Sequence, residues 1–301
     1  MNHLKITTGE LAKICGVSQG TVDRALNNRT DINAATKQKI LRAAKEYGYR
    51  QLVDGHDGII GLVGIIVFDL NNEYFSKLIT EVEYVLQGLG YGAVVMMTHY
   101  DRQNEIECIR NMYNMGVCGI IMCSVNSGEE FRNYLKLFNI PIVTVGNNIV
   151  VTPFVGVDDF TSMRDMTLSV MAEGYDDIVY FSPALNYSDA YAQRTRYEGF
   201  LHAASGKKYC TVTDIRDIKE KYPENTAVIC STDYYAFKVY FKTACTKVTG
   251  FDNLDAIEKY GWKIDSVGYS ITQIAINAVD TALGIKEGST LIDHVIVKHG
   301  R

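Results

Sequence analysis

Apolar and polar positions follow two different rhythms along this chain. Over residues 1–50 the apolar residues recur at helical spacing in short runs: Leu11, Ala12 and Ile14, then Val22 and Leu26, then Ile40, Leu41, Ala44 and Tyr47. Thr7-Thr8-Gly9-Glu10 has the form of a capping box, which starts the first helix. Cys15-Gly16-Val17-Ser18 ends it, with Gly16 able to take positive φ and Ser18 suited to cap a second helix over 19–26. A polar loop over 27–31 precedes a third helix over 33–47. Three short helices with a glycine-centred turn between the first two describe a helix-turn-helix.

From residue 61 the rhythm changes. Continuous apolar runs, suited to strands buried on both faces, alternate with amphipathic segments. The runs predict strands at 62–68, 93–97, 119–123, 142–145 and 154–157, then at 178–181, 211–215, 227–230 and 248–251. Between them helices are expected over 73–89, 105–115 and 129–138, with only a two-turn helix over 217–222. Strict alternation of this kind predicts an α/β sensor of two doubly wound parallel-sheet lobes, preceded by the small all-α head. The expected division is a head at 1–50, a linker at 51–61 and a two-lobed body at 62–301. Lobe 1 comprises about 62–157 plus 268–292, and lobe 2 about 158–265 plus 293–301.

Charge sharpens the division. Residues 1–50 hold nine Lys or Arg against four acids, a net of +5, in a chain whose net charge is −5. The remaining 251 residues therefore carry −10. A basic head on an acidic body is the pattern of a nucleic-acid-binding module joined to a body with another task. The longest apolar run, 59–70, is broken by Gly61, Gly64 and Asp69 and is too short for a bilayer. Seven cysteines without a CxxC pair read as reduced thiols. Together these lead to the expectation of a cytoplasmic protein with no membrane partner, metal site or cofactor.

Enzyme signatures are missing from the sequence. Gly88-Leu89-Gly90-Tyr91-Gly92 follows a helix and precedes a strand, the wrong place for a dinucleotide loop. No phosphate-binding GxxxxGK[ST], nucleophile elbow or HExxH occurs, and the six histidines lack metal-ligand spacing. The expectation is a binding protein rather than an enzyme.

The run from Ile6 to Asn28 closely resembles the DNA-binding head of the lactose-repressor family of bacterial regulators, and Lys39-Ile40-Leu41 through Glu46-Tyr47-Gly48-Tyr49-Arg50 resembles the end of that head. The resemblance implies that the second helix enters the major groove. Gln19, Gly20 and Arg24 would then occupy base-reading positions, and Ser18 and Thr21 phosphate-contacting ones, with Asn27 also at the DNA. Asp23 stands where the family usually has Ser. The linker departs further: residues 51–58 lack the usual proline and carry two Gly and two Asp, so no clear hinge helix is expected.

The body resembles the same family's sensor domain, similar in turn to periplasmic sugar-binding proteins. The matching pieces are Asp69…Asn72-Glu73-Tyr74-Phe75, Gly119-Ile120-Ile121, Val157-Asp158-Asp159, Arg196-Tyr197-Glu198-Gly199-Phe200, Thr232-Asp233 and Gly250-Phe251-Asp252-Asn253. By that resemblance Phe75 stacks on a ligand, Arg196 and Asp233 bind its polar groups, and Ser124 and Asp159 lie at the cleft wall, with Asn72 beside them. Tyr269 stands in place of the family's usual Gln as a cleft residue. Asp, Asn and Ser after strands also cap helices, their commonest role.

The implied function is a sequence-specific DNA-binding transcriptional regulator, a repressor more readily than an activator. It would act as a homodimer on a pseudo-palindromic double-stranded operator, with affinity modulated by a small sugar-like effector. The alternative is a small-molecule binding protein whose head is vestigial or binds DNA without specificity.

Overall fold

A computed structural model of the chain describes residues 7–26, 32–46, 52–53, 56–57, 59–186, 190–244 and 247–299. They fall into two units, Met1–Leu62 with Gly88–Gly92 and Val63–Gln87 with Ala93–Arg301.

The first unit holds helices α1 (Thr8–Cys15), α2 (Gln19–Leu26) and α3 (Ala34–Glu46). Thr7 and Glu10 close the capping box: Glu10 N–H donates to Thr7 Oγ1 at 3.3 Å, and Thr7 N–H donates to Glu10 Oε2 at 2.7 Å. Gly16 ends α1 in the left-handed region at φ 65°, which turns the chain into α2. Leu11, Ala12, Cys15, Val22, Ala25, Ile40, Ala43 and Ala44 form the core, with Leu26 packed at its edge. Two expected core residues lie outside it: Ile14 is 42% exposed and Leu41 43%. Cys15 and Ala43 take their places, because the three helices converge over a narrower stripe than apolar spacing alone defines. Tyr47 lies outside the described residues. Strands β1 (Leu52–Val53) and β2 (His56–Asp57) pair antiparallel, and the described residues of 51–61 contain no helix.

The sheets of the body alternate with helices. The elements of the first lobe are β3 (Leu62–Val67), α4 (Glu73–Gly88), β4 (Gly92–Met97), α5 (Arg102–Asn114), β5 (Gly119–Met122), α6 (Glu129–Leu135), β6 (Ile142–Val145) and β7 (Phe154–Gly156). The second lobe follows with α7 (Asp159–Ala172), β8 (Asp177–Phe181), α8 (Tyr191–Ala203), β9 (Lys208–Val212), β10 (Thr226–Cys230), α9 (Asp233–Lys242), β11 (Lys247–Phe251), α10 (Asp255–Tyr260) and β12 (Ile264–Tyr269). Then come α11 (Ile271–Ala282), β13 (Thr290–Leu291) and β14 (His294–Val297).

One sheet has the order β13-β7-β6-β5-β3-β4 and the other β14-β12-β11-β10-β8-β9. The second is parallel except at its edge, where β14 runs antiparallel to β12. The chain crosses from the first sheet to the second after β7, returns after β12 and crosses again between β13 and β14. Helix α11 lies directly on the first sheet, and a Cβ on Gly119 would sit 2.0 Å from the Ala282 carbonyl oxygen.

The expected helix over 217–222 does not form. A single 3-10 turn spans Ile215–Asp217, and Ile218 and Tyr222 turn inward to the core beneath β10 and α9. With two buried side chains four residues apart and Pro223 next in the chain, burial rather than helical hydrogen bonding shapes this stretch. The strand expected at 211–215 lies earlier, as the exposed edge strand β9.

Candidate recognition helix and interlobe cleft

In the first unit, Ser18 caps α2: its hydroxyl accepts from Thr21 N–H at 3.2 Å and pairs with the Thr21 hydroxyl at 2.8 Å. Val22 and Ala25 face the core, which leaves Gln19, Gly20, Asp23 and Arg24 exposed on the opposite side. Arg24 Nη2 donates to Thr21 Oγ1 at 3.4 Å. The exposed face therefore begins at a positively polarised helix N-terminus and carries one amide, one carboxylate and one guanidinium. Asn27 lies outside the described residues.

In the second unit, the C-terminal ends of the strands bring the candidate residues to two facing walls. On the first lobe, Asp69 accepts from the N–H groups of Asn71 and Asn72 at 2.8 and 3.4 Å, and Asn72 Oδ1 caps α4 by accepting from Tyr74 N–H at 3.0 Å. Phe75 is buried in this lobe, edge-on to Phe68 with ring centres 5.2 Å apart. Ser124 is buried and donates to the Asn126 carbonyl at 2.8 Å. The residue that organises this wall is one the sequence analysis passed over, Glu105 on α5. Its Oε2 accepts from the N–H groups of Val125 and Asn126 and from Asn126 Nδ2, at 3.1, 2.8 and 2.7 Å. Burial holds the Glu105 carboxyl above its ordinary range against the pull of those donors.

On the second lobe a single close helix crossing sets the geometry. A Cβ on Gly199 of α8 would lie 2.2 Å from the Phe160 carbonyl oxygen of α7, so only glycine permits this approach. It brings Arg196 against Asp159: Nε donates to Asp159 Oδ1 at 2.7 Å and Nη1 to the Ser231 carbonyl at 2.8 Å. The guanidinium also lies 3.5 Å from the centre of the Phe251 ring. Asp158, immediately before, caps α7 through Thr161 N–H at 2.9 Å.

Asp233 turns inward. Its carboxylate accepts from Leu254 N–H at 2.8 Å and the Ser266 hydroxyl at 2.7 Å, next to Gly250, where a Cβ would lie 2.0 Å from Asp233 Oδ1. It thereby holds the loop after β11. There Asp252 and Asn253 both take positive φ, 111° and 48°, a strained conformation for residues with side chains. Asp252 accepts from the Tyr269 hydroxyl at 2.7 Å. Burial pushes the Asp252 carboxyl up to about 6, with Arg196 and Tyr269 opposing the shift.

Two tyrosines of the first lobe reach this wall. The Tyr74 hydroxyl lies near that of Tyr269. Tyr100, itself at φ 61°, lies near Asp69 and near Tyr234 and Tyr235 of α9. At the rim, Lys77 donates to Asp255 at 2.6 Å.

The structure thus joins Asp159, Arg196 and Tyr269 in one cluster, with Asp233 behind it, while Asn72, Phe75 and Ser124 belong to the opposite wall. Tyr74, Tyr100, Glu105 and Asp252 complete the site. Tyr74 and Asp252 stood within the family-like runs quoted above. Glu105 carried no signal, because its partners lie twenty residues away along the chain.

A family model described as periplasmic binding proteins and sugar binding domain of LacI family matches residues 61–244, and one described as bacterial regulatory proteins, lacI family matches residues 7–51. The HTH-type transcriptional regulator GntR of Escherichia coli K12 is 23% identical over 250 residues, covering 77% of this chain and 75% of that protein. RegA, an HTH-type transcriptional regulator of Clostridium saccharobutylicum, is 24% identical over 283 residues, covering 79% and 85%. Among solved structures, the lac repressor dimer bound to operator and an anti-inducer superposes with a TM-score of 0.66 at 16% identity, covering 98% of each chain.

Proposed function

The chain belongs to the LacI family of bacterial regulatory proteins, and on that footing we propose that it is a repressor whose operator affinity is set by a small polar, sugar-like metabolite held between its two lobes. One observation carries this reading. The Tyr74 hydroxyl of one lobe lies near Tyr269 of the other, beside Asp252, which accepts from the Tyr269 hydroxyl, and near the buried Arg196–Asp159 pair. A ligand with several hydroxyls exchanges the Tyr269–Asp252 bond for its own. It then shifts the lobes by no more than the difference in its affinity for the two arrangements.

In this reading Asp159, Arg196, Tyr269 and Asp252 meet the ligand from one side and Asn72, Tyr74, Phe75 and Ser124 from the other, with Asp233 shaping the loop that presents Asp252. Gln19 and Arg24 read base edges, Gly20 admits the backbone to the groove, Ser18 and Thr21 face phosphate, and Asn27 also contacts the DNA. A homodimer sets two such heads on a pseudo-palindromic operator, with half-sites spaced by its symmetry.

Selection of bound duplexes from a random library, followed by affinity measurements across a salt series with and without a metabolite panel, tests the whole. A preference of ~10³ or more over random duplex at physiological salt is expected. At least one polar metabolite should shift it about fivefold or more. Equal affinity for all duplexes would mean a small-molecule binding protein with a vestigial head.

A further inference from the structure

The buried charges of the second lobe do not balance. Asp159, Asp233 and Asp252 are 7%, 0% and 5% exposed, and Arg196 is the buried cation among them. Its hydrogen bonds go to Asp159 and to the Ser231 carbonyl. The other buried cation among the described residues, Lys247, pairs with Asp265 and Glu173. Asp233 and Asp252 therefore face each other's field, with hydroxyl and N–H donors around them and no cation in hydrogen-bonding reach among the described residues. Burying like charges this way is costly unless a positive charge joins them. Burial accordingly pushes both carboxyls up, with the charge of Asp252 adding to the shift at Asp233 and that of Asp159 to the shift at Asp252.

Two further features belong to this lobe, one beside Arg196 and Asp159 and one beside Asp252. The Tyr180 hydroxyl, fully buried and within the fields of Arg196 and Asp159, has no hydrogen-bond partner and offers an acceptor. The Tyr74 and Tyr269 phenols lie near the carboxylate of Asp252, and the Phe251 ring lies 5.9 Å from that of Tyr269. Carboxylate, phenol oxygens and aromatic faces together are the surroundings that favour an ammonium group over a hydroxyl.

We propose that the effector carries an ammonium group, as an amino sugar does, seated against Asp252 between Tyr74 and Tyr269. This rests on the interlobe reading above and adds the charge of the ligand. The ammonium donates to the free acceptor capacity of Asp252 and supplies the positive charge the cluster lacks. Arg196 then remains with Asp159 and need not move.

Calorimetry on the full chain with matched pairs tests this directly: D-glucosamine against D-glucose, D-galactosamine against D-galactose, and D-mannosamine against D-mannose, at neutral pH and constant ionic strength. At least one amine should bind tenfold or more tightly than its hydroxyl twin. Asp252→Asn should erase that difference, the affinity of the amine falling about tenfold further than that of its neutral twin. A neutral sugar that binds as well as its amine overturns the ammonium assignment and leaves the cleft reading standing. Equal loss of both twins in Asp252→Asn also overturns it, since Asp252 then acts on any ligand alike. If no member of any pair binds, the amino-sugar assignment is overturned. In that case thermal stabilisation by methylammonium chloride beyond that of sodium chloride, lost in Asp252→Asn, is the remaining result that would keep an ammonium subsite there; its absence would end the proposal.

Discussion

Arg196 and Asp159 meet across the α7–α8 crossing at 2.7 Å, with both side chains only 8% exposed. Each has given up water to do so, and their attraction is repaid only because the second guanidinium nitrogen also has an acceptor, the Ser231 carbonyl. Removing one partner is therefore far worse than never having had the pair. Asp159→Ala should lower stability by about 3–5 kcal/mol, as a buried guanidinium is left without its carboxylate. Urea unfolding followed by circular dichroism checks this, and Asp159→Ala with Arg196→Met should recover part of the loss.

Glu105 invites a second test. Its carboxylate gathers three donors from Val125 and Asn126; Ser124 Oγ and the Arg102 carbonyl also accept from Asn126, so Glu105→Ala leaves the part-buried Val125 N–H without its acceptor. Such a group costs about 1–3 kcal/mol. Glu105→Gln keeps an acceptor oxygen and should lose less than Glu105→Ala. Hydrogen exchange at Val125 and Asn126 should accelerate in the alanine variant more than elsewhere in the first lobe.

A pH dependence follows from Asp252. Its carboxyl lies near 6 in the folded protein, against about 3.9 in an unfolded chain. Between those values the folded state holds a proton that the unfolded state has released. The contribution of this group therefore favours folding most at low pH and is lost as pH rises toward 6. Asp252→Asn has no such dependence. The gap between its thermal midpoint and that of the native chain should move in the variant's favour from pH 4 to pH 6 and then level off.

On the DNA side, Arg24 projects from the exposed face of α2. Arg24→Ala should cost about 1–3 kcal/mol against the selected operator and relax preference at one base pair per half-site. Measured on mismatched duplexes, a uniform loss across all sequences would place Arg24 on the phosphates instead. Ser18→Ala should differ in kind: it removes the cap that accepts from Thr21 N–H and destabilises the head by about 1 kcal/mol.

Local order was legible in the chain itself. The Thr7–Glu10 box, the Gly16 turn and the alternation of strand and helix are set by neighbours within four or five residues or by simple periodicity, and a linear pattern records both. The same holds for Arg196 and Asp159, each singled out because it sits in a run with a recognisable form, while Tyr269 stood out where the chain departs from the family's usual Gln. What tertiary structure alone decided is how those groups are spent. Asp233 bonds the Leu254 N–H and the Ser266 hydroxyl; Tyr74 rather than Phe75 lies near the second lobe; Glu105 governs a loop twenty residues away. A close approach such as that of Gly199 to Phe160, thirty-nine residues apart, fixes which side chains meet. Burial then sets their charge balance, since desolvation depends on everything packed around a group and on none of its sequence neighbours in particular.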